Sequence, residues 1–471
     1  MIPRSIAPAA ALALFALAVV ATDRSARAGT DSGAGGPAGL AELERTLAAM
    51  EDRLRATSDA LAAAEARSAE LADRLDRLDR GGPAATSALE GLLAELEVGG
   101  WVSASYWYNL NDPDNNNLLG ANQGLTGFSH PFTPDANQFS FDQLWIELER
   151  PVSPERRAGF RADLAFGKIA GLLPAGNTPG GGRAGGNNFY VGQAYVQVLA
   201  ETPIGDVRFQ AGKFFTTIGA EVAQATGNPH ISRSNVYNLM QPIDHVGVAA
   251  FHERSCLGVA CTLGVLLVNG FGVDQPEIND GKTLILHTAF DLAPFSLALN
   301  LHTGHEAFGD EGIDTRGINA VLGYDDGDRI TGYLDAGFVA TDGPGGTDPK
   351  IFGVAASLRY AITERLGLAL RADLVGTDRD FVGVASALAA LRAGGATQVG
   401  PGDPDESARF WSLTGTVDYR LADGLLLRGE LRYDRASVDR FSDDLFISDG
   451  DRLLFGAPSQ LTAGAEVIYT F

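Results

Sequence analysis

The feature that most constrains this chain is a rhythm of connections. From Trp101 to Phe471 the sequence divides into sixteen candidate strands of about 8 to 13 residues: 99–110, 138–150, 156–167, 189–200, 205–213, 244–253, 260–270, 281–291, 294–303, 313–324, 328–340, 350–361, 365–376, 409–420, 424–436 and 459–471. Alternate connections (residues 151–155, 201–204, 254–259, 292–293, 325–327, 362–364 and 421–423) are short, while the others run from about nine to more than thirty residues. An even number of antiparallel strands with turns short on one side and long on the other is the pattern of a closed transmembrane barrel; a soluble sandwich has no reason to sort its loops that way.

The two faces of each strand agree with that architecture. In 409–420, Trp411, Leu413, Gly415, Val417 and Tyr419 alternate with Ser412, Thr414, Thr416, Asp418 and Arg420. In water the apolar face would need a covering layer, but lipid covers it equally well. Tyr360, Tyr419, Tyr433 and Tyr469 stand at strand ends, where interfacial aromatic belts are expected. Segments 260–270 and 281–291 alternate poorly. Glycine, at 58 of 471 residues, is scattered through the apolar segments, as in sheets that bend.

Residues 1–28 read as an export leader, with Arg4, an apolar run from Ile6 to Ala21, and Ala26-Arg27-Ala28 ahead of Gly29. No apolar run of 18 or more residues follows, so no helical span is expected. Backbone hydrogen bonds in lipid can then be satisfied only by a closed barrel. After a linker at 29–39, residues 40–80 carry an unbroken heptad whose seam is Leu40, Leu43, Leu47, Met50, Leu54, Thr57, Leu61, Ala64, Ser68, Leu71, Leu75 and Leu78. A helix with so narrow an apolar seam predicts self-association in a coiled coil. A linker with a short helix at 81–98 leads to the barrel at 99–471. The fold expected is therefore an all-β transmembrane barrel of about sixteen antiparallel strands behind an N-terminal helical coiled coil.

The barrel region resembles the OmpL-like β-barrel porins, the second such family. The resemblance rests on Gln143–Leu148 with Gly159–Leu164, Gly212-Lys213-Phe214 with Ile218-Gly219-Ala220-Glu221, Ser232-Arg233-Ser234, His245–Val248, and Leu427–Asp434. Thr217 and Ala220 stand where Pro and Tyr are expected around that Gly. It implies passive diffusion of small hydrophilic solutes across the outer membrane, with outer-membrane lipid around the wall and the coiled coil in the periplasm. By analogy with general porins it also implies a homotrimer, and a third long loop, Phe214–Ile243, folded into the lumen as the constriction. That loop carries apolar residues unusual for an exposed segment, Phe215, Ile218, Val222 and Leu239, which need the lumen wall or, were the loop external, a neighbouring protomer to pack on.

A barrel this wide encloses water, so function lies in what narrows it. The candidate pore-lining and constriction residues are Glu147, Arg161, Asp163, Arg208, Glu221, Arg233, Arg371, Asp373, Arg428, Glu430 and Arg432, which either face solutes or brace the wall through same-face contacts such as Arg428/Glu430 and Arg432/Asp434. Cys256 and Cys261 sit at a predicted periplasmic turn and suit a local disulfide in an oxidising compartment. Tyr469 and Phe471, on one face of the last strand, resemble the signal read by the barrel-insertion machinery.

Other chemistries find little support. A formal charge of −23 repels nucleic acid, and four Lys in the whole chain disfavour a phosphate-selective lumen. No G-x-S-x-G, H-E-x-x-H or P-loop occurs, so neither enzyme, metal nor cofactor is expected. His302 and His305 read as surface polar residues, and the Asx-rich 112–117 lacks the glycine of a calcium loop. Acidic loops predict a weak cation preference. The competing readings are an envelope-tethering structural barrel that uses its coiled coil, and an outer-membrane barrel hydrolase.

Overall fold

In the computed structural model, residues 55, 95–111, 137–172, 189–271, 280–308, 311–342, 350–378, 407–437, 447–449, 452–454 and 457–471 are described. The leader, the linkers up to residue 94 and, apart from Arg55, the heptad segment lie outside them. From Glu95 onward the chain forms one unit. Its strands are β1 (Glu97–Asn109), β2 (Gln138–Arg150), β3 (Ala158–Phe166), β4 (Phe189–Thr202), β5 (Gly205–Phe215), β6 (Asp244–Cys256), β7 (Val259–Val268), β8 (Thr283–Leu292), β9 (Phe295–Phe308), β10 (Glu311–Asp325), β11 (Ile330–Asp342), β12 (Lys350–Ala361), β13 (Leu366–Thr377), β14 (Arg409–Ala422), β15 (Leu425–Ala436), a small hairpin β16 (Ile447–Asp449) and β17 (Arg452–Leu454), and β18 (Ser459–Thr470). Every neighbour in the ring pairs antiparallel, and β18 closes on β1 with Trp101 opposite Thr470 and Asn109 opposite Thr462.

The closed sheet has sixteen strands, β1–β15 and β18, which are the sixteen segments expected. Two boundaries move. The sheet opens at Glu97 rather than 99, and β9 and β10 extend to Phe308 and Glu311, leaving only residues 309–310 between them. Lipid-facing apolar side chains such as Leu370, Leu413, Leu431 and Val467 are exposed, and Tyr360, Tyr419, Tyr469 and Phe471 ring the short-turn rim. An apolar band between aromatic girdles is what a bilayer requires of a barrel exterior.

The poor alternation of β7 and β8 has a physical cause. Leu266 and Val268 of β7 and Ile285 of β8 point inward and are buried with Phe214 and Ile218, while Val265, Leu267, Leu284 and Leu286 face lipid. Both faces are apolar because the inner one is covered by chain. A second inward apolar patch, Trp101, Trp145 and Ile468, packs with Phe215, Ala223 and Tyr237; a third, around Ile351, Val375 and Phe410, packs with Val236, Leu239 and Met240. The segment between β5 and β6, residues 216–243, therefore lies inside the barrel on three apolar supports.

Candidate functional site

The inward loop is gripped along its length. At its stem, Lys213 lies 3.4 Å from Asp244, donates to the Val191 carbonyl at 2.7 Å and sits 4.1 Å over the Tyr190 ring, whose hydroxyl donates to Asp244. Next comes a ladder of two inward amides on β9 and β10 and a carboxylate on β11. Asn300 donates to the Thr217 carbonyl (2.9 Å), Gly219 N–H donates to Asn319 Oδ1 (3.0 Å), and Ala220 N–H donates to Asp335 Oδ2 (2.9 Å). Asn319 in turn donates to Asp335 at 2.6 Å, which fixes both acceptors. Gly219 has φ +87°, a conformation L side chains rarely adopt, and it turns the loop away from this ladder toward the far wall.

Across the lumen the loop meets β12–β15. Glu221 pairs with Arg371 at 2.7 Å, and Glu430 accepts from the N–H groups of Ile231 (2.7 Å) and Ser232 (3.1 Å). Asn235 donates to Asp373 (2.7 Å) at the start of α1 (Asn235–Met240), whose cap is Ser234 accepting from Tyr237 N–H. Arg428 donates to the carbonyls of Asn228 (2.6 Å) and Ala225 (3.0 Å), and Arg432 to that of Arg233. His230 at the tip lies between Thr416 (2.7 Å) and Ser357 (2.9 Å). Gln143 on β2 closes the circle, exchanging bonds with Ala223 O and Ala225 N–H. All residues from His230 to Tyr237 are buried. Irregular backbone at membrane depth is tolerated only where protein satisfies it in this way.

The expected site residues separate into two clusters and two residues that stand by themselves. Glu221, Arg371, Asp373, Arg428, Glu430 and Arg432 come together at the loop's grip on the wall. Arg233, on the loop, staples it from within by donating to the carbonyls of Val222 (2.7 Å), Ile231 (2.6 Å) and Ala223 (2.9 Å). Glu147, Arg161 and Asp163 form a separate cluster on β2 and β3, where Arg161 reaches Glu147 (2.9 Å), Glu149 (2.8 Å) and Asp163 (2.8 Å). Arg208 bonds Gln210 at 2.9 Å and lies 4.6 Å over the Phe251 ring.

Two expectations are corrected. Arg428 pairs with Glu466 of β18 (2.5 Å), not with its same-face neighbour Glu430, because Glu430 is taken up by loop amides; Arg432 does pair with Asp434, at 2.8 Å. His302 is buried and stacked 4.0 Å from the Phe271 ring, since β9 continues past it; His305 is exposed beside Asp314. Cys256 and Cys261 are joined by a disulfide at the β6–β7 turn. Tyr469 and Phe471 are exposed, and Phe471 pairs its backbone with Gly100. Sequence reasoning missed Asn300, Asn319, Asp335 and Thr416. Their signal was present, as polar residues on the inward parity of apolar strands.

Electrostatics lock the loop. Burial alone raises the Glu221 carboxyl, but the Arg371 guanidinium and two hydrogen bonds from Ser234 pull it below the usual carboxylate range. Burial, reinforced by Arg371, Arg428, Arg432 and Arg233, holds the His230 imidazole well below its ordinary value and hence neutral at pH 7.

Beneath the loop, at the short-turn mouth, a cavity of about 850 Å³ opens between Asn228 and the wall of β9–β15. On its wall Arg359 of β12 forms a two-point ion pair with Asp418 of β14 (2.9 and 2.6 Å), reaching over β13. This is possible because residue 367 is Gly: a Cβ there would stand 2.4 Å from Asp418 Oδ2 and 2.5 Å from Arg359 Nη2.

A closed antiparallel barrel, apolar outside and polar inside, with a long loop folded into its lumen, defines a porin-like outer-membrane barrel. The chain belongs to the family described as Putative beta-barrel porin-2, OmpL-like, whose model matches residues 95–471. Among solved structures it is similar to OmpT, an outer membrane protein of Vibrio cholerae in its trimer form (11% identity, TM-score 0.48, 80% of this chain and 99% of that one). It is also similar to an anion-selective porin from Comamonas acidovorans (12%, 0.48, 80% and 99%) and to Pseudomonas putida OprB (12%, 0.47, 83% and 97%). No curated protein gives a significant match.

Proposed function

We propose that this protein is an outer-membrane diffusion channel for small hydrophilic solutes, with the inward loop as its constriction and the short turns, including the disulfide-linked one, in the periplasm. The observation that carries this reading is the loop itself: residues 216–243 cross the lumen and are hydrogen-bonded to inward side chains of β9–β15. A barrel serving only as an anchor has no need of so costly an arrangement of buried charge. Acidic residues outnumber basic ones 59 to 36, which supports a weak cation preference that strengthens as salt falls. The heptad seam of 40–80 supports self-association, with a homotrimer following by analogy with general porins, and Tyr469 and Phe471, exposed on the lipid face, are suited to reading by the insertion machinery.

Planar-bilayer recording tests this directly. The purified protein is expected to give steps of conductance that scale with KCl concentration, and a reversal potential of cation-selective sign in a KCl gradient. A variant lacking residues 29–94 should still conduct. Loss of all conductance with a correctly folded barrel would favour the tethering reading instead.

A further inference from the structure

The lumen's guanidiniums are not equivalent. Arg233, Arg371, Arg428 and Arg432 are buried and engaged by loop carbonyls and carboxylates, so little of their surface is open to a solute. The wall of the cavity below the loop differs. Three guanidiniums surround the single carboxylate of Asp418: Arg359 bonds it through Nε and Nη2, Arg428 stands opposite it in the β14–β15 register, and Arg420 follows two residues on along the same face. Arg428 is taken up by Glu466 and the loop. Arg359 Nη1 and the whole Arg420 guanidinium have no protein partner among the described residues, and both residues line the cavity. Ser296 and Thr331 add hydroxyl groups to the same lining, while the side chains of Asn228 and Ser357 are already bonded to Val222 and His230.

We propose that this cavity is a solute subsite for small hydroxylated monocarboxylates of the sugar-acid kind, the carboxylate resting on Arg420 and the free Nη1 of Arg359 and the hydroxyls on the polar lining. Guanidinium groups with unsatisfied donors match carboxylate geometry better than any other anion-binding side chain. Asp291 and Asp325 also line the cavity and weigh against multiply charged anions. Charge at the mouths and binding in the cavity act at different points, so a cation-preferring channel can still hold such a solute. The volume of about 850 Å³ accommodates a six-carbon acid with its water.

This inference deepens the channel reading and rests on it. The test is block of KCl current by sodium gluconate, with sorbitol, which lacks the carboxylate, and glucosamine, which carries the opposite charge, as comparisons. Gluconate is expected to block at lower concentration than either. Arg420→Gln should weaken that block about ten-fold, the loss of one charge-assisted contact, while Arg420→Lys should weaken it less. Gluconate block equal to that by sorbitol, or unchanged in Arg420→Gln, overturns the subsite. If the wild type carries no current, the channel reading fails, and the subsite is then judged by gluconate calorimetry on the detergent-solubilised barrel: binding lost in Arg420→Gln supports it, and no binding overturns it.

Discussion

At the scale of single residues, the consequential ones are those that hold backbone. Glu430 supplies both acceptors for the amides of Ile231 and Ser232 in a buried setting. Glu430→Ala is expected to cost about 1–3 kcal/mol for each amide left without a partner, seen as a noisier open channel and easier proteolysis of the loop in an otherwise intact barrel. Acidification acts on the same contacts. The Glu221 carboxyl is held below its usual range, so its contribution is present at neutral pH and is lost as pH falls through the lowered value. His230 contributes nothing above its ordinary 6.5; below that the unfolded chain takes up a proton that the folded loop refuses, and stability declines. Both effects have one sign. Loop closure and thermal stability should fall together in a melting series, with His230 acting as pH drops below 6.5 and Glu221 acting below 4.5; a profile flat through both ranges would show that neither group matters.

At the scale of elements, the wall and the inward loop are separable in their support. Each barrel strand is hydrogen-bonded to two neighbours and covered by lipid outside, so the wall can close without the loop even though the loop adds to its stability. Replacing residues 222–240 by a short Gly-Ser linker should leave a folded barrel, with unchanged heat-modifiable migration, and a single-channel conductance raised several-fold. A conductance unchanged by that replacement would mean the loop is not the constriction. Gly367→Ala addresses a smaller element, the Arg359–Asp418 bridge across β13. Its Cβ cannot coexist with the pair as it stands, so the bridge should break and the cavity's charge redistribute, read as a shifted reversal potential in a barrel that still assembles.

At the scale of the whole molecule, association and selectivity are the open quantities. Crosslinking in detergent should give trimers for the full chain and weaker association for a variant lacking 29–94; monomers only, with that segment intact, would remove the trimer. Reversal potentials at about 0.1 M and at about 1 M salt should differ, because exposed loop carboxylates are screened at the higher concentration and buried pairs are not.

The architecture was legible in the sequence because lipid imposes local rules. A strand bathed in hydrocarbon must alternate every second residue, and short turns must gather on one side, so Trp411–Tyr419 against Ser412–Asp418 declared the wall, and the connections declared the closure. The inward loop announced itself only by composition, through Phe215, Ile218 and Leu239, which meet the apolar supports they called for. What each charge does was decided by tertiary structure alone. Arg428 and Arg359 both follow the inward parity of a strand, yet one is buried against loop carbonyls and the other, partly exposed, reaches over β13 to Asp418. Parity fixes the side of the sheet a residue faces; what stands opposite depends on a loop folded across the lumen, a long-range fact that no local pattern carries.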